Sequence, residues 1–187
     1  MVGLCAFRSA WLAVLCYQIL ALLIVLACRP AVGSTRPKSW THWVVALSFG
    51  FTGVVLAIIA PLILDDGLLA QRLSNVGLHA GNFVWFAAWF CLVNPILEEL
   101  LWRGVLHRQG LMPCAMDACF GGYHALVIWS LLSWPWAVGA FAGCSMAGWL
   151  WRVMRINSGS LALPMLSHFL ADVSIMAAVW WLCFRWL

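Results

Sequence analysis

The 187-residue chain is far more apolar than a soluble domain, with 65% hydrophobic residues, 9% charged residues and 14 Trp. About half of an ordinary globular chain is apolar, so this composition excludes a soluble protein. The net charge of +4 comes from scattered residues, and without a basic patch a nucleic-acid partner is not expected. We therefore expect an all-α polytopic membrane protein that forms one integral membrane domain over residues 1–187, with the lipid bilayer as a partner.

Six apolar stretches are candidates for membrane-crossing helices. The first covers about 9–28, and its length of about 20 residues favours a retained span over the alternative of a cleaved signal peptide. The other five cover about 43–64, 83–101, 116–134, 136–151 and 161–187. Pro135 separates the fourth from the fifth and predicts either a tight turn or a kinked, irregular segment. The chain is thus expected to form a bundle of about six transmembrane helices.

Tryptophan and cysteine show two further patterns. Trp residues gather at the ends of the apolar stretches, which predicts interfacial anchors. They are Trp40, Trp43, Trp102, Trp134, Trp136, Trp149, Trp151 and Trp186. The eight Cys lie mostly in or beside apolar stretches without a C-x-x-C pair, so we expect small buried side chains and no disulfide framework.

Basic residues predict the orientation in the membrane. With six spans, one side carries Arg29, Arg36, Lys38, Arg103, Arg108, Arg152 and Arg155. The other side carries only Arg8, Arg72 and Arg185. By the positive-inside rule the first side is cytoplasmic, which places both termini outside.

A charge at the centre of a membrane helix costs about 2.5–3.5 kcal/mol, so ionisable residues inside the predicted spans are candidates for a functional role, and five of them are singled out. They are Glu98, Glu99, His124, His168 and Asp172. At about 1.5 Å rise per residue, Glu98 lies roughly 5 Å, His168 roughly 10 Å and His124 roughly 12 Å inside the cytoplasmic ends of their spans. Three helices therefore bring polar groups to a similar depth, which predicts a functional site near the cytoplasmic side.

Helical spacing suggests how these residues divide their roles. His168 and Asp172 share one helix face, and Glu99 can pair with Arg103 one turn later. Glu98 is turned about 100° from Glu99 and is available to another partner. The simpler explanations are a helix-end ion pair and packed histidines, but convergence at one depth favours a functional site. Three other histidines are expected at the surface: His42, His79 and His107.

Three short motifs resemble those of the CAAX protease and bacteriocin-processing family of intramembrane proteases. They are "EELLWR" with Glu98, Glu99 and Arg103, "FGGYH" with Phe120 and His124, and "HFLAD" with His168 and Asp172. Their order is similar to the family's E-E-x-x-x-R, F-x-x-x-H and H-x-x-x-N/D. The likeness covers about residues 83–187, the expected catalytic core, and residues 1–82 would add two N-terminal transmembrane helices.

The resemblance implies a glutamate-dependent peptidase without metal, cofactor or covalent intermediate, acting on a membrane-anchored protein or peptide. Its catalytic set would be Glu98, Glu99, His124, His168 and Asp172, supported by Arg103 and Phe120. Glu98 would act as general base on a water held jointly with His124. Glu99 would pair with Arg103, and His168, with Asp172 one turn later, would stabilise the oxyanion.

One position departs from the prenyl-protein peptidases of this family, which have Asn where this chain has Asp172. An ionised Asp cannot donate a hydrogen bond, so Asp172 is expected either to be protonated or to orient His168. The difference argues against prenylated CAAX proteins as substrates. The substrate classes that stay open are a CAAX-type tail, a bacteriocin or signalling peptide, and a C-terminal sorting segment. The short chain and Asp172 together favour a prokaryotic inner or plasma membrane.

Two other function classes fit the same residues. A zinc-dependent membrane hydrolase could use two His and the acids, although no H-E-x-x-H motif occurs. A non-catalytic regulator, an immunity protein or a proton-coupled carrier would also place Glu and His inside a bundle.

Overall fold

The computed structural model describes residues 8–33, 40–63 and 66–185, and within these ranges the chain is helical. The α-helices are α1 Ala10–Cys28, α2 Trp40–Ser48, α3 Thr52–Ile63, α4 Asp66–Asn75, α5 Ala80–Glu98, α6 Ala115–Leu131, α7 Trp134–Ser158 and α8 Ala162–Phe184. A 3₁₀ turn, Phe49–Phe51, joins α2 to α3, and a π-helical segment, Glu99–Val105, continues α5. Cys5, Arg36, Lys38 and Trp186 lie outside the described residues.

Four described segments are long and apolar enough to cross a membrane: Ala10–Cys28, Trp40–Pro61, Ala80–Val105 and Ala162–Phe184. They match the first, second, third and sixth predicted spans, so a multi-pass membrane protein is confirmed. The fourth and fifth predicted spans correspond to α6 and α7. Helix α6 has only 17 residues, and α7 is rich in Gly and Ser. The count of six therefore stays a prediction.

Pro135 lies in the first turn of α7, just after the N-cap residue Ser133. A helix tolerates Pro there because its missing N–H has no partner within the first turn. The boundary is therefore a tight turn rather than a kink. Helix α7 continues past the expected end at Trp151 to Ser158, where Gly159 with a φ of 70° ends it in the left-handed conformation.

Helix α8 lies at the centre of the fold and packs against α2, α3, α5 and α7. Helix α1 packs on α5 through Ala21, Val25, Leu97 and Leu101. Helices α6 and α7 approach closely, because a Cβ at Gly121 would collide with the Ser145 side chain. This packing brings α5, α6 and α8, which carry the three motifs, next to one another.

The cysteines differ from expectation. Those described form no disulfide, but only Cys91 is buried, whereas Cys16, Cys28 and Cys119 are exposed. Exposure carries little cost for a small apolar side chain on a helix that faces lipid.

Candidate active site

The two adjacent acids lie where α5 passes into the π-helical segment. Pro95, inside the last turn of α5, has no N–H for the regular hydrogen-bond pattern, and π-type turns in helices are frequent at functional sites. Glu98 and Glu99 are both 0% exposed. Two fully buried carboxyl groups in sequence need specific partners on the neighbouring helices.

Glu99 contacts both its own helix and α8. Its Oε1 atom accepts a hydrogen bond from Arg103 Nη1 at 2.9 Å and lies 3.0 Å from His168 Nδ1. The Arg103 guanidinium lies over the Phe120 ring, 4.2 Å from its centroid. Arg103 is itself buried, so the pair expected from the sequence is an internal ion pair rather than a surface one.

Glu98 faces two imidazoles from different helices. Its Oε2 atom lies 3.8 Å from His124 Nε2 and 3.8 Å from His168 Nε2. These distances are longer than a direct hydrogen bond. His124 Nδ1 lies 2.9 Å from the Phe120 carbonyl oxygen, which fixes the ring, and His168 stacks on Trp151 with centroids 4.3 Å apart. The His124 side chain is 24% exposed, whereas His168 is buried.

Asp172 faces Nε2 of the His168 ring, whereas Glu99 faces Nδ1. Its Oδ1 atom lies 3.7 Å from His168 Nε2, and its carboxyl group lies near the Asn94 side chain. The close hydrogen bond that orients His168 is the one that Glu99 Oε1 accepts from its Nδ1. Asp172 is therefore placed beside the ring nitrogen that also faces Glu98.

A family model, Type II CAAX prenyl endopeptidase Rce1-like, matches residues 80–174, just over half of the chain. The chain belongs to this family. The predicted membership of the CAAX protease and bacteriocin-processing group is thereby confirmed. No curated protein and no solved structure gives a match. The matched region contains all three motifs, from Glu98 to Asp172.

Several residues near the family motifs were missed or misread in the sequence. Trp151 is not an interfacial anchor: it is buried, stacks on His168 and donates from Nε1 to Ser167 Oγ at 2.9 Å. Asn94 is buried one turn before Glu98, and a polar residue inside an apolar span was the signal for it. Tyr17, on α1, lies beside Glu98 although it is outside the matched region.

The three histidines outside the motifs differ in their exposure. His79 is exposed at the start of α5, as expected, whereas His42 and His107 are half-buried. His107 follows the π-helical segment, and burial together with the nearby Arg155 and Arg152 guanidiniums lowers its pKa. A neutral His107 is therefore expected at physiological pH.

Several oxygens of the site remain open. Four buried carboxyl oxygens have no hydrogen-bond partner among the described residues: Glu98 Oε1, Glu98 Oε2, Glu99 Oε2 and Asp172 Oδ2. Buried polar atoms in proteins are nearly always satisfied, so such a cluster points to a place that receives water or substrate. Across the same described ranges, no three His, Cys, Asp or Glu side chains are grouped as metal ligands.

Proposed function

We propose that the protein is a glutamate-dependent intramembrane endopeptidase that uses water to cleave a membrane-anchored protein or peptide. Family membership supports the protease activity. The observation that carries the mechanism is that His124 Nε2 and His168 Nε2 each lie 3.8 Å from the same oxygen of Glu98. A carboxylate between two imidazoles is suited to accept a proton and return it.

His124 and Glu98 would hold the water. Because His124 Nδ1 is 2.9 Å from the Phe120 carbonyl, a neutral ring carries its proton there and leaves a lone pair on Nε2. The 3.8 Å gap to Glu98 Oε2 suits one water that bonds to both atoms, since two hydrogen bonds of about 2.8 Å can meet across it. Such a water donates to both groups and keeps its own lone pairs for attack.

The peptide bond is then cleaved in two steps. The water oxygen bonds to the carbonyl carbon, one of its protons moves to Glu98, and the carbonyl oxygen becomes an oxyanion. Collapse re-forms the carbonyl and breaks the C–N bond, and Glu98 returns the proton to the leaving amine. No bond between enzyme and substrate forms at any point.

His168 would stabilise the oxyanion. With both ring nitrogens protonated, Nδ1–H donates to Glu99 at 3.0 Å and Nε2–H is directed towards the reacting carbonyl. A preorganised donor of this kind is commonly worth about 3–4 kcal/mol. Asp172 would supply negative charge 3.7 Å from Nε2 and so support the imidazolium. Glu99 and Arg103 keep the ring in place.

The substrate would be a membrane-anchored protein or peptide tail. Glu98 lies near the end of the apolar Ala80–Val105 segment, which supports cleavage close to one membrane face. The excess of basic residues makes that face the cytoplasmic one, with both termini outside. Residues 83–187 would form the catalytic core of a single domain.

The first experiment compares new peptide termini in membranes of host cells that express the wild type or Glu98→Gln at equal levels. Termini that appear only with the wild type are expected, and they also name the substrate. A matched pair tests the water-binding histidine: His124→Asn should abolish the same termini. His79→Asn should not, since His79 is exposed and Asn also caps a helix.

The same experiment separates the other two function classes. Identical termini with wild type and Glu98→Gln, together with a phenotype that persists in both, would make the protein a non-catalytic regulator. Loss of cleavage on chelation that zinc restores would make it a zinc hydrolase, with Glu98 and the histidines as ligands. Glutamate-dependent cleavage that is indifferent to chelators is the result we expect.

A further inference from the structure

Helix α1 lies outside the family-matched residues 80–174, yet it reaches the candidate active site through Tyr17. The Tyr17 hydroxyl accepts a hydrogen bond from Trp102 Nε1 at 3.2 Å. Its ring stacks on Tyr123, with centroids 4.9 Å apart and an interplanar angle of 17°. Both contacts are to direct neighbours of motif residues, because Trp102 precedes Arg103 and Tyr123 precedes His124.

Three further contacts fix the register of α1 against α5. Gln18, which follows Tyr17 in the chain, accepts a hydrogen bond at Oε1 from Trp89 Nε1 at 2.9 Å. Two turns or less away, Ala21 and Val25 pack on α5 in a buried apolar cluster. A tyrosine held by stacking, by an indole N–H and by a packed helix has little freedom to turn its hydroxyl elsewhere.

The direction of the phenol proton follows from these contacts. A tyrosine hydroxyl has one proton to donate and lone pairs to accept, and one lone pair already accepts from Trp102. Trp102 follows Glu98 by four residues, and Tyr123 lies edge-on to His124 with centroids 4.8 Å apart, so these two contacts place the hydroxyl on the Glu98 side of the site. Both Glu98 oxygens are buried and have no hydrogen-bond partner among the described residues. The proton therefore has a carboxylate acceptor next to it.

We propose that Tyr17 is a positioning residue of the active site, and that its hydroxyl donates to Glu98 and holds this carboxylate for reaction with the water. The proposal rests on the proposed function for its effect on the rate. It makes α1 a working part of the site rather than an additional membrane anchor. A donor on Oε1 of Glu98 fixes the carboxylate plane and leaves Oε2 to the water that it shares with His124.

The test uses the full-length protein in liposomes and the substrate found with the wild type. Tyr17→Phe keeps the stacked ring and removes only the hydroxyl. We expect kcat to fall about tenfold to a hundredfold, as for loss of a hydrogen bond to a charged group. KM and the midpoint of thermal unfolding should stay close to the wild type, which a merely structural role would not produce. Tyr123→Phe, the control, loses a hydroxyl from the stacked partner ring and should keep the wild-type kcat.

A second readout is independent of the substrate. The infrared carboxyl bands lost in Glu98→Gln identify Glu98, and Tyr17→Phe should shift these bands whereas Tyr123→Phe should not. Unshifted bands, or a Tyr17→Phe enzyme with the wild-type kcat, would overturn the role of Tyr17. If the wild type gives no Glu98-dependent cleavage but the bands still shift, the proposed function fails while the contact between Tyr17 and Glu98 stands.

Discussion

Two buried charged clusters in this molecule differ in how completely their polar atoms are satisfied. The first joins α6 to α7: Arg152 donates from Nε and Nη2 to the two Asp117 carboxyl oxygens at 2.9 and 2.7 Å. It also donates to the carbonyl oxygens of Gly110 and Met112, and Asp117 accepts the Cys114 N–H at 2.9 Å. These hydrogen bonds hold the loop between the π-helical segment and α6 in place, and all the polar groups named have partners.

The second cluster surrounds Glu98, which is itself fully buried, but its contacts are incomplete. His124 and His168 lie 3.8 Å from Glu98, beyond a direct hydrogen bond. Both Glu98 oxygens lack a completed hydrogen bond among the described residues. The difference teaches that burial of charge does not mark a catalytic site. A closed network rigidifies the fold, whereas an open one can bind and activate a reactant.

The largest effect on stability is expected at the closed cluster. Arg152→Met leaves the Asp117 carboxylate buried without its guanidinium, and removing one partner of a buried ion pair costs about 3–5 kcal/mol. Unfolding should be measured in detergent by denaturant titration. Cleavage per folded molecule should stay near the wild type, since Arg152 does not contact Glu98 or either histidine of the site.

Two variants sharpen this contrast. Arg155→Met makes the same change on the same helix, where Arg155 donates to the exposed Ala31 carbonyl, and should cost much less. Glu98→Gln should reverse the pattern, with cleavage lowered by about 10²- to 10⁴-fold and stability retained. If Arg152→Met abolished cleavage without loss of stability, the division between the two clusters would be wrong.

Loss of Glu99 is expected to lower both stability and activity. This residue forms a complete ion pair with Arg103 and also contacts His168 of the incomplete cluster around Glu98. Glu99→Gln keeps the size of the side chain but removes the negative charge that pairs with Arg103 and holds His168 Nδ1. We expect a loss of about 1.5–3 kcal/mol of stability, typical for a hydrogen bond to a charged group, together with a lower kcat. Denaturant titration and cleavage rates on the same preparation measure both. A loss of activity without a loss of stability would mean that Glu99 has only a catalytic role and does not stabilise the fold.

The sequence was sufficient for those contacts that follow from helical spacing. Residues four apart meet on one face, so the Glu99–Arg103 pair and the shared face of His168 and Asp172 could be predicted without a structure. The roles of adjacent residues could not. Glu98 and Glu99 both reach His168, through different ring nitrogens, because the His168 ring lies between their two side chains.

Contacts between distant segments had no signal in the sequence. Helices α2, α3 and α4 lie between Tyr17 and the helix that carries Glu98, and only packing of α1 on α5 brings the two residues towards each other. From the sequence alone, Arg152 is only a basic loop residue and Asp117 has no assigned role, since their pairing depends on the approach of α6 to α7. Hydropathy alone predicted the most apolar spans, whereas it gave no indication of the polar helix Asp66–Asn75.

The smallest effect on cleavage is expected from substitution of Asp172. It tests whether this residue belongs to the reacting cluster around Glu98. Asp172→Asn keeps the size of the side chain, and it introduces the residue type found in the prenyl-protein peptidases that the motif resembles. Asp172 lies 3.7 Å from His168 Nε2, so it acts through charge rather than through a close hydrogen bond. Loss of that weak support should lower kcat by no more than about tenfold, the equivalent of one ordinary hydrogen bond.

Cleavage rates of Asp172→Asn and Asp172→Ala, measured beside Glu98→Gln, decide this point. The alanine variant should be slower than the asparagine variant, because it also removes a polar side chain of similar size next to His168 Nε2 and leaves a cavity there. A loss in Asp172→Asn as large as in Glu98→Gln would mean that the Asp172 carboxylate itself transfers a proton. The reacting centre would then include the far side of His168, and the proton would have two carboxylates to move between.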